Sequence, residues 1–131
     1  MAYLKPPFFV RAVFNRLAMA AGAFGTVTLE VPGRRTGSDQ RIPVIPVEVD
    51  GAVHVVSTRG ESEWVRNVRQ AGWLRLRGKR FAGDYDALEV PVGERAPIIA
   101  AYREAAGSTV TSYWKQLPDD ADHPTFRLSR R

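Results

Sequence analysis

The chain has 131 residues, which suits a single domain, and its 44% hydrophobic content is enough for a folded core. Its net charge of +5 favours an anionic ligand or partner. The absence of cysteine excludes disulfides, thiolate nucleophiles and cysteine-based metal sites, and it fits a reducing cytosol.

The first predicted element is an amphipathic helix within residues 1–22, which begins at Pro6-Pro7 and ends at Gly22. It is apolar around most of its circumference, but Arg11 and Arg16 interrupt the apolar run, which argues against a signal peptide and against a membrane span. Two interpretations stay open. The helix packs across one end of a barrel, or it lies in a bilayer interface or covers an apolar substrate pocket.

Residues 25–31 alternate apolar and polar side chains, a pattern that predicts a strand. The next segment, Gly33–Gly37, reads Gly-Arg-Arg-Thr-Gly. Its two glycines permit a sharp turn that exposes backbone N–H groups, and the guanidinium groups of Arg34 and Arg35 suit phosphate or carboxylate. A solvated basic hairpin loop is the alternative interpretation of these five residues.

A second predicted strand, Ile42–Val49, is apolar on both faces, which indicates burial on both sides or a position beside a cavity. Pro43 and Pro46 lack N–H groups on opposite edges of this strand, so we expect its hydrogen-bond ladder to be broken nearby. Asp50-Gly51 predicts a hairpin turn into a third strand, Ala52–Thr58.

A polar turn then leads into a predicted helix, with Ser62 as its N-cap and Gly72 as its end. Loop amides before a helix N-terminus attract anions, and Arg59 would strengthen that attraction. On residue type alone, we expect Trp64 to be a core residue and Asn67 to cap a neighbouring loop.

The remaining elements are predicted as two strands, two helices and a last strand: Trp73–Arg77, Phe81–Val90, Glu94–Ala106, Thr109–Leu117 and His123–Leu128. Strands outnumber helices and are joined by short hairpins. We therefore predict a mainly β, α+β fold: a small antiparallel barrel decorated by helices, with the barrel and its helices in residues 24–129 of one domain spanning residues 1–131.

The sequence carries little acid–base or nucleophilic equipment. His54 and His123 are the only histidines, and no Asp/Glu cluster has metal-ligand spacing, so we expect no protein metal site. The nucleophile elbow and the phosphate-binding P-loop patterns are both missing. If the protein is an enzyme, a bound cofactor does the chemistry while the protein orients the reactants and excludes water.

Four motifs occur in order: Gly33-Arg34-Arg35-Thr36-Gly37, Arg41-x-Pro43-Val44, Val56-Ser57 with Gly60, and Trp64-Val65-Arg66-Asn67-Val68. Together they resemble the deazaflavin (F420)-dependent nitroreductase family, split β-barrel proteins of actinobacteria. The resemblance implies coenzyme F420 as cofactor, ahead of FMN. It also implies hydride transfer from the reduced deazaflavin to a small-molecule acceptor: a quinone, a nitro compound or an activated double bond. The phosphate and oligoglutamate tail of F420 would account for the basic charge.

The same resemblance implies roles for individual residues. It places a cofactor phosphate against Arg35 and Arg41, with Arg34, Thr36 and Gly37 nearby. It places Pro43, Val44 and Ile45 against the deazaflavin ring, and it implies cofactor contacts for the loop Ser57, Thr58, Arg59 and Gly60 and for the helix residues Trp64, Val65 and Asn67. Tyr113 and Tyr102 resemble tyrosines of a substrate pocket.

Two other hypotheses stay open. A split-barrel module could hold F420, FMN or haem without turnover, with His54 or His123 as the axial haem ligand. A basic membrane- or nucleic-acid-associated protein could use the N-terminal helix or the basic face formed by Arg75 and Arg77. We expect the protein in the cytoplasm, with the inner face of the plasma membrane as the alternative place. Nucleic acid is not expected, because the basic residues lack the interleaved aromatics of a stacking platform. The sequence does not predict an oligomeric state.

Overall fold

The computed structural model describes residues 25–131, so the helix predicted within residues 1–22 lies outside the described part of the chain. Seven strands form one antiparallel sheet. They are β1 (Val27–Pro32), β2 (Asp39–Val44), β3 (Val47–Val49), β4 (Ala52–Val56), β5 (Trp73–Arg77), β6 (Gly83–Glu89) and β7 (Thr125–Arg130).

Within the described residues, three α-helices and three short 3-10 turns accompany the sheet. The helices are α1 (Glu63–Ala71), α2 (Ala96–Ala106) and α3 (Thr111–Gln116), and the turns are Val92–Glu94, Gly107–Val110 and Asp120–Asp122. Helix α1 ends as predicted at Gly72, which takes the left-handed conformation with a φ of 78°. Within residues 25–131, no helix is long and apolar enough to cross a bilayer.

The strand order, β2-β1-β5-β6-β7-β4-β3, makes β2 and β3 the two edges of the sheet. These edge strands are separated in sequence only by Ile45 and Pro46. The edges must therefore meet at this junction, which curls the sheet into a split barrel and confirms the predicted fold class. The one long strand predicted over Ile42–Val49 is two strands, because the ladder is broken where the prolines indicated.

Alternating side chains divide the apolar residues between two cores. The barrel core contains Leu29, Leu74, Leu76, Phe126 and other inward-facing residues, and α1 adds Trp64, Val65 and Val68 to it. The outer core lies between the outer side of β3 and β4 and the helices α2 and α3; it contains Val47, Val56, Ile98, Tyr102 and Trp114.

Strand direction gathers three connecting segments at one end of the barrel, which we call the loop end. β1, β4 and β6 run in the same direction because each neighbouring pair of strands in the sheet is antiparallel. The loop 33–38, the turn 57–62 with α1, and the segment 90–124 with α2 and α3 follow these three strands. The fold thus brings together segments far apart in sequence.

Candidate functional site

The loop 33–38 at the loop end is closed by its own backbone hydrogen bonds. Gly33 N–H donates to the Ser38 carbonyl oxygen at 2.9 Å, and Gly37 N–H donates to the Gly33 carbonyl oxygen at 3.1 Å. A Cβ on Gly33 would lie 2.5 Å from the Ser38 oxygen, and Gly37 has a φ of +77°. Both glycines are therefore needed for this conformation.

The two arginines of this loop have different surroundings. Arg34 Nη1 donates to Glu63 Oε2 at 2.7 Å, and its side chain is 17% exposed. This hydrogen bond is the main cause of a lowered pKa at Glu63. Arg35 is exposed and has no hydrogen bond or ion pair with another residue of the described range 25–131. Arg35 is the arginine of the loop whose guanidinium is available to an anion.

Asn67 of α1 holds the loop in place. Its Oδ1 accepts from the backbone N–H of Arg34 at 3.1 Å and from Arg34 Nη1 at 2.9 Å. Its Nδ2 donates to Gln40 Oε1 at 2.7 Å. The expectation from residue type, that Asn67 caps a neighbouring loop, is confirmed. Asn67 is only 5% exposed, and these three internal contacts use most of the hydrogen-bonding capacity of its amide.

The turn 57–62 is a second preformed loop. Ser57 Oγ donates to the Gly60 carbonyl oxygen at 2.7 Å, and Ser62 N–H donates to the same oxygen at 2.8 Å. Ser62 begins α1 as predicted, but its side chain makes no capping hydrogen bond. The buried atoms Ser62 Oγ and Arg59 Nε have no hydrogen-bond partner within the described residues. The sequence pattern did not single out the Ser62 hydroxyl, because an N-cap serine ordinarily uses it on the helix.

Arg59 links this turn to the predicted substrate tyrosines. Its Nη2 donates to the Tyr113 hydroxyl at 3.2 Å, and its Cζ lies 5.3 Å from the centroid of the Tyr113 ring. Tyr102 lies deeper, at 6% exposure, with its ring centroid 6.0 Å from that of Trp114. Burial raises the pKa of Tyr102, so this phenol is neutral at physiological pH.

His123 joins the turn to the end of α3. Its Nδ1 lies 2.8 Å from the Ser57 carbonyl oxygen, its Nε2 lies 2.7 Å from the Leu117 carbonyl oxygen, and its ring stacks on Trp114 at a centroid distance of 4.0 Å. Both ring nitrogens are thus engaged by the backbone, which speaks against His123 as a haem ligand. His54 is also buried, and burial lowers its pKa.

The other residues named by the resemblance occupy contrasting positions. Pro43 is half-buried at the end of β2; Val44 packs against the barrel core and Ile45 against the outer core, where Tyr113 also packs. Trp64 and Val65 are buried in the barrel core, and Val65 has no exposed surface, so the structure gives these two side chains a packing role. Thr36 and Gly37 are exposed in the loop, and Thr58 is half-buried.

Arg41 lies on the strand β2 and is engaged in an ion pair. Its Nε lies 2.6 Å from Glu30 Oε2, and Arg77 Nε lies 2.6 Å from the other oxygen of the same carboxylate. These arginines, Arg77 first, lower the pKa of Glu30. A cofactor phosphate would have to compete with Glu30 for Arg41, whereas it has no such competitor at Arg35.

The fold is that of a split β-barrel protein, and its helix-covered end carries basic and hydroxyl side chains. The chain belongs to the F420H2-dependent quinone reductase family, whose family model matches residues 12–118. Membership confirms the resemblance seen in the sequence and confirms F420 as the cofactor. No curated protein matches the chain.

Solved structures share the fold at low identity. An F420H2-dependent reductase, FDR-A, has a TM-score of 0.62 and 21% identity over 79% of this chain and 93% of its own. ChuZ of Campylobacter jejuni has a TM-score of 0.57 and 14% identity over 98% of this chain and 55% of its own. A haem-binding protein of Mycobacterium smegmatis has a TM-score of 0.56 and 15% identity over 98% and 53%. At these identities the similarity shows the fold alone.

Proposed function

We propose that this protein binds reduced F420 at the loop end and uses it to reduce a quinone, with nitro compounds and activated double bonds as further acceptors. The observation that carries the proposal is the pair of buried atoms without partners, Arg59 Nε and Ser62 Oγ, in the turn that leads into α1. Buried polar atoms are almost always hydrogen-bonded, so their presence in one turn indicates a polar ligand at that place.

The residues present fit this cofactor. Arg35 supplies an available guanidinium for phosphate or carboxylate, and Thr36 and Gly37 add a hydroxyl and an exposed backbone beside it. Arg59 and Ser62 supply polar groups at the second loop. When bound, reduced F420 supplies the hydride. The protein's own contribution is to hold the cofactor, orient the acceptor and exclude water.

The acceptor would lie beside Tyr113 and Ile45, which pack against the same outer core. The cationic guanidinium of Arg59 donates to the oxygen of Tyr113, so the phenolic proton of Tyr113 must point elsewhere. That proton is then available to a carbonyl or nitro oxygen of the acceptor. The neighbouring apolar side chains provide a surface for the body of a quinone.

A titration of the purified protein with F420, followed by fluorescence, tests cofactor binding. We expect Arg35→Ala to weaken binding by about 1.5–3 kcal/mol, the value of a hydrogen bond to a charged group. We expect a smaller loss for Arg41→Ala, because Glu30 already holds that guanidinium, and a combined loss of about 2–4 kcal/mol for the double variant. Arg131→Ala is the matched control. Arg131 follows β7 at the end of the barrel opposite the loop end, and it pairs there with Asp86. Equal affinities in wild type and Arg35→Ala would refute the role of Arg35.

Anaerobic oxidation of F420H2, followed by the return of deazaflavin absorbance, tests the reaction. A quinone, a nitroarene and an enone are offered in parallel, and we expect the quinone to be reduced fastest. Binding of F420 without acceptor-dependent oxidation would instead support the non-catalytic split-barrel module.

A further inference from the structure

We infer that Asn67 is a positioning residue that fixes the cofactor loop, and that the two arginines of the loop have divided roles: Arg34 anchors the loop, and Arg35 contacts the anion. This inference rests on the proposed function of the site. It goes further by separating the residues that would bind the cofactor from those that shape the loop.

The side-chain amide of Asn67 contacts the loop through both its oxygen and its nitrogen. Asn67 Oδ1 takes both the backbone N–H and a side-chain N–H of Arg34, so one oxygen fixes the position of the peptide and of its side chain. Asn67 Nδ2 holds Gln40, which follows the loop at the start of β2. Asn67 therefore contacts the chain both within the loop, at Arg34, and just after it, at Gln40.

The positive charge of Arg34 is paired with a carboxylate of α1. Its Nη1 also donates to Glu63 Oε2 at 2.7 Å, so its positive charge is compensated by a carboxylate on the first turn of α1. Arg34 thus adds little net attraction for an anion. Arg35, the next residue, has no hydrogen bond or ion pair within residues 25–131, and its charge acts on Glu63 only at longer range. Consecutive arginines in one loop are therefore chemically distinct.

Without Asn67, few hydrogen bonds would hold the loop in its conformation. Its remaining internal hydrogen bonds are the two that involve Gly33 and one from Ser38 N–H to Thr36 Oγ1 at 3.2 Å, and all three lie within the loop. They shape the loop but do not attach it to α1. The ion pair of Arg34 with Glu63 would still join the loop to α1. Loss of Asn67 should therefore loosen the loop, so that binding an anion would have to pay for its reordering.

Salt dependence separates the two roles. Salt screens the attraction between charged groups, so a charged residue that contacts the anion makes the affinity depend on salt. A neutral residue that only positions the loop adds nothing to this salt dependence. We expect Arg35→Gln to bind F420 more weakly and with a shallower dependence on KCl. We expect Asn67→Ala to bind roughly tenfold more weakly, the effect of losing about one or two hydrogen bonds, with a dependence on KCl parallel to that of the wild type. Arg34→Gln/Glu63→Gln, which removes both charges of the ion pair and keeps the net charge, should resemble Asn67→Ala in its salt dependence.

Amide hydrogen exchange of the protein without cofactor gives an independent readout. In the wild type the Arg34 N–H is hydrogen-bonded to a buried side chain, so we expect it to exchange slowly. Asn67→Ala should accelerate its exchange, and Asn67→Asp, which keeps the accepting oxygen, should restore the slow exchange. Gln70→Ala is the control, because Gln70 is an exposed residue of the same helix. Asn67→Leu, which removes the same contacts but keeps most of the side-chain volume, is the second variant if Asn67→Ala does not fold.

The outcomes separate this inference from the proposed function. If the wild type does not bind F420, the proposed function fails, while the exchange experiment still tests the grip on the loop. If F420 binds but Asn67→Ala, or Asn67→Leu in its place, leaves both affinity and Arg34 exchange unchanged, the inference is overturned. A shallower salt dependence in Asn67→Ala, equal to that of Arg35→Gln, would also overturn it.

Discussion

The ion-pair network around Arg69 should be a main electrostatic contribution to stability. Arg69 Nη1 and Nη2 bind the two carboxylate oxygens of Glu61, the second at 2.9 Å, and Arg69 Nε lies 2.7 Å from Glu89 Oε1. Arg95 also reaches Glu89, at 3.3 Å. The network joins the turn 57–62, α1, the end of β6 and the start of α2. We predict that Arg69→Met strongly destabilises the protein.

The magnitude follows from burial. Glu61 is 5% exposed and would lose its cation, whereas Glu89 would keep Arg95. Removing one partner of a fully buried pair costs about 3–5 kcal/mol. The Arg69 side chain is 34% exposed, so solvent screens the pair and we expect about 2–3 kcal/mol. For a domain of this size that corresponds to a fall in Tm of roughly 8–12 °C.

The effect should depend on pH. The hydrogen bond from Arg69 is the main cause of a lowered pKa at Glu61 in the folded wild type. Its stabilisation is therefore present above the unfolded pKa, about 4.3, and is lost as the pH falls through the folded value. In Arg69→Met the buried Glu61 carboxylate lacks the Arg69 cation, so protonation of Glu61 reduces the destabilisation of the variant. The difference in stability between the two proteins should shrink in acid.

Urea unfolding at pH 7 and near pH 4, followed by circular dichroism, measures this difference. The double variant Glu61→Gln/Arg69→Met should recover part of the loss, since no unpaired charge remains buried. The control is Arg131→Met, whose ion pair with Asp86 is 49% and 61% exposed and should be worth less than about 1 kcal/mol. The reasoning is wrong if Arg69→Met costs no more than this control, or if its cost is the same at both pH values.

Two further predictions concern the loop end. Gly33→Ala should weaken F420 binding with little change in Tm, because its Cβ would meet the Ser38 carbonyl oxygen and force the exposed loop to rearrange. F420 titrations and thermal melts of the same variant check this. A large fall in Tm would show that the loop supports the fold. Tyr113→Phe removes the hydroxyl that accepts the hydrogen bond from Arg59, and it should lower the turnover of the electron acceptor while F420 affinity is retained. Steady-state rates and F420 titrations of this variant measure the two effects. A loss of F420 affinity would place Tyr113 in the cofactor site.

Local patterns predicted the strands well where one mechanism dominates. The alternation of Trp73–Arg77 predicted β5 to the residue, and Pro43 and Pro46 predicted the interruption between β2 and β3 because a missing N–H breaks a ladder in any context. The start of the last strand was predicted two residues early, at His123. The backbone there is held instead by contacts of the His123 ring with Ser57, which is far from it in sequence, and with Leu117 at the end of α3.

The use of individual arginines could not be predicted in the same way. Arg34, Arg35 and Arg41 are equivalent as sequence letters, but Glu63 and Glu30 engage the first and the last. Those carboxylates come from another element or from the neighbouring strand in a register that only the fold sets. Ser62 shows the converse case: its position as N-cap was predicted, but the missing hydrogen bond of its hydroxyl depends on the surrounding packing.

The junction of Ile45 and Pro46 constrains how this protein can change. Consecutive side chains of an extended chain alternate in direction, so the number of residues between β2 and β3 sets which way Val47 and Val49 point. A deletion or insertion of one residue here would turn both valines away from α2 and expose the apolar layer beneath that helix. The fold therefore fixes the length of this junction.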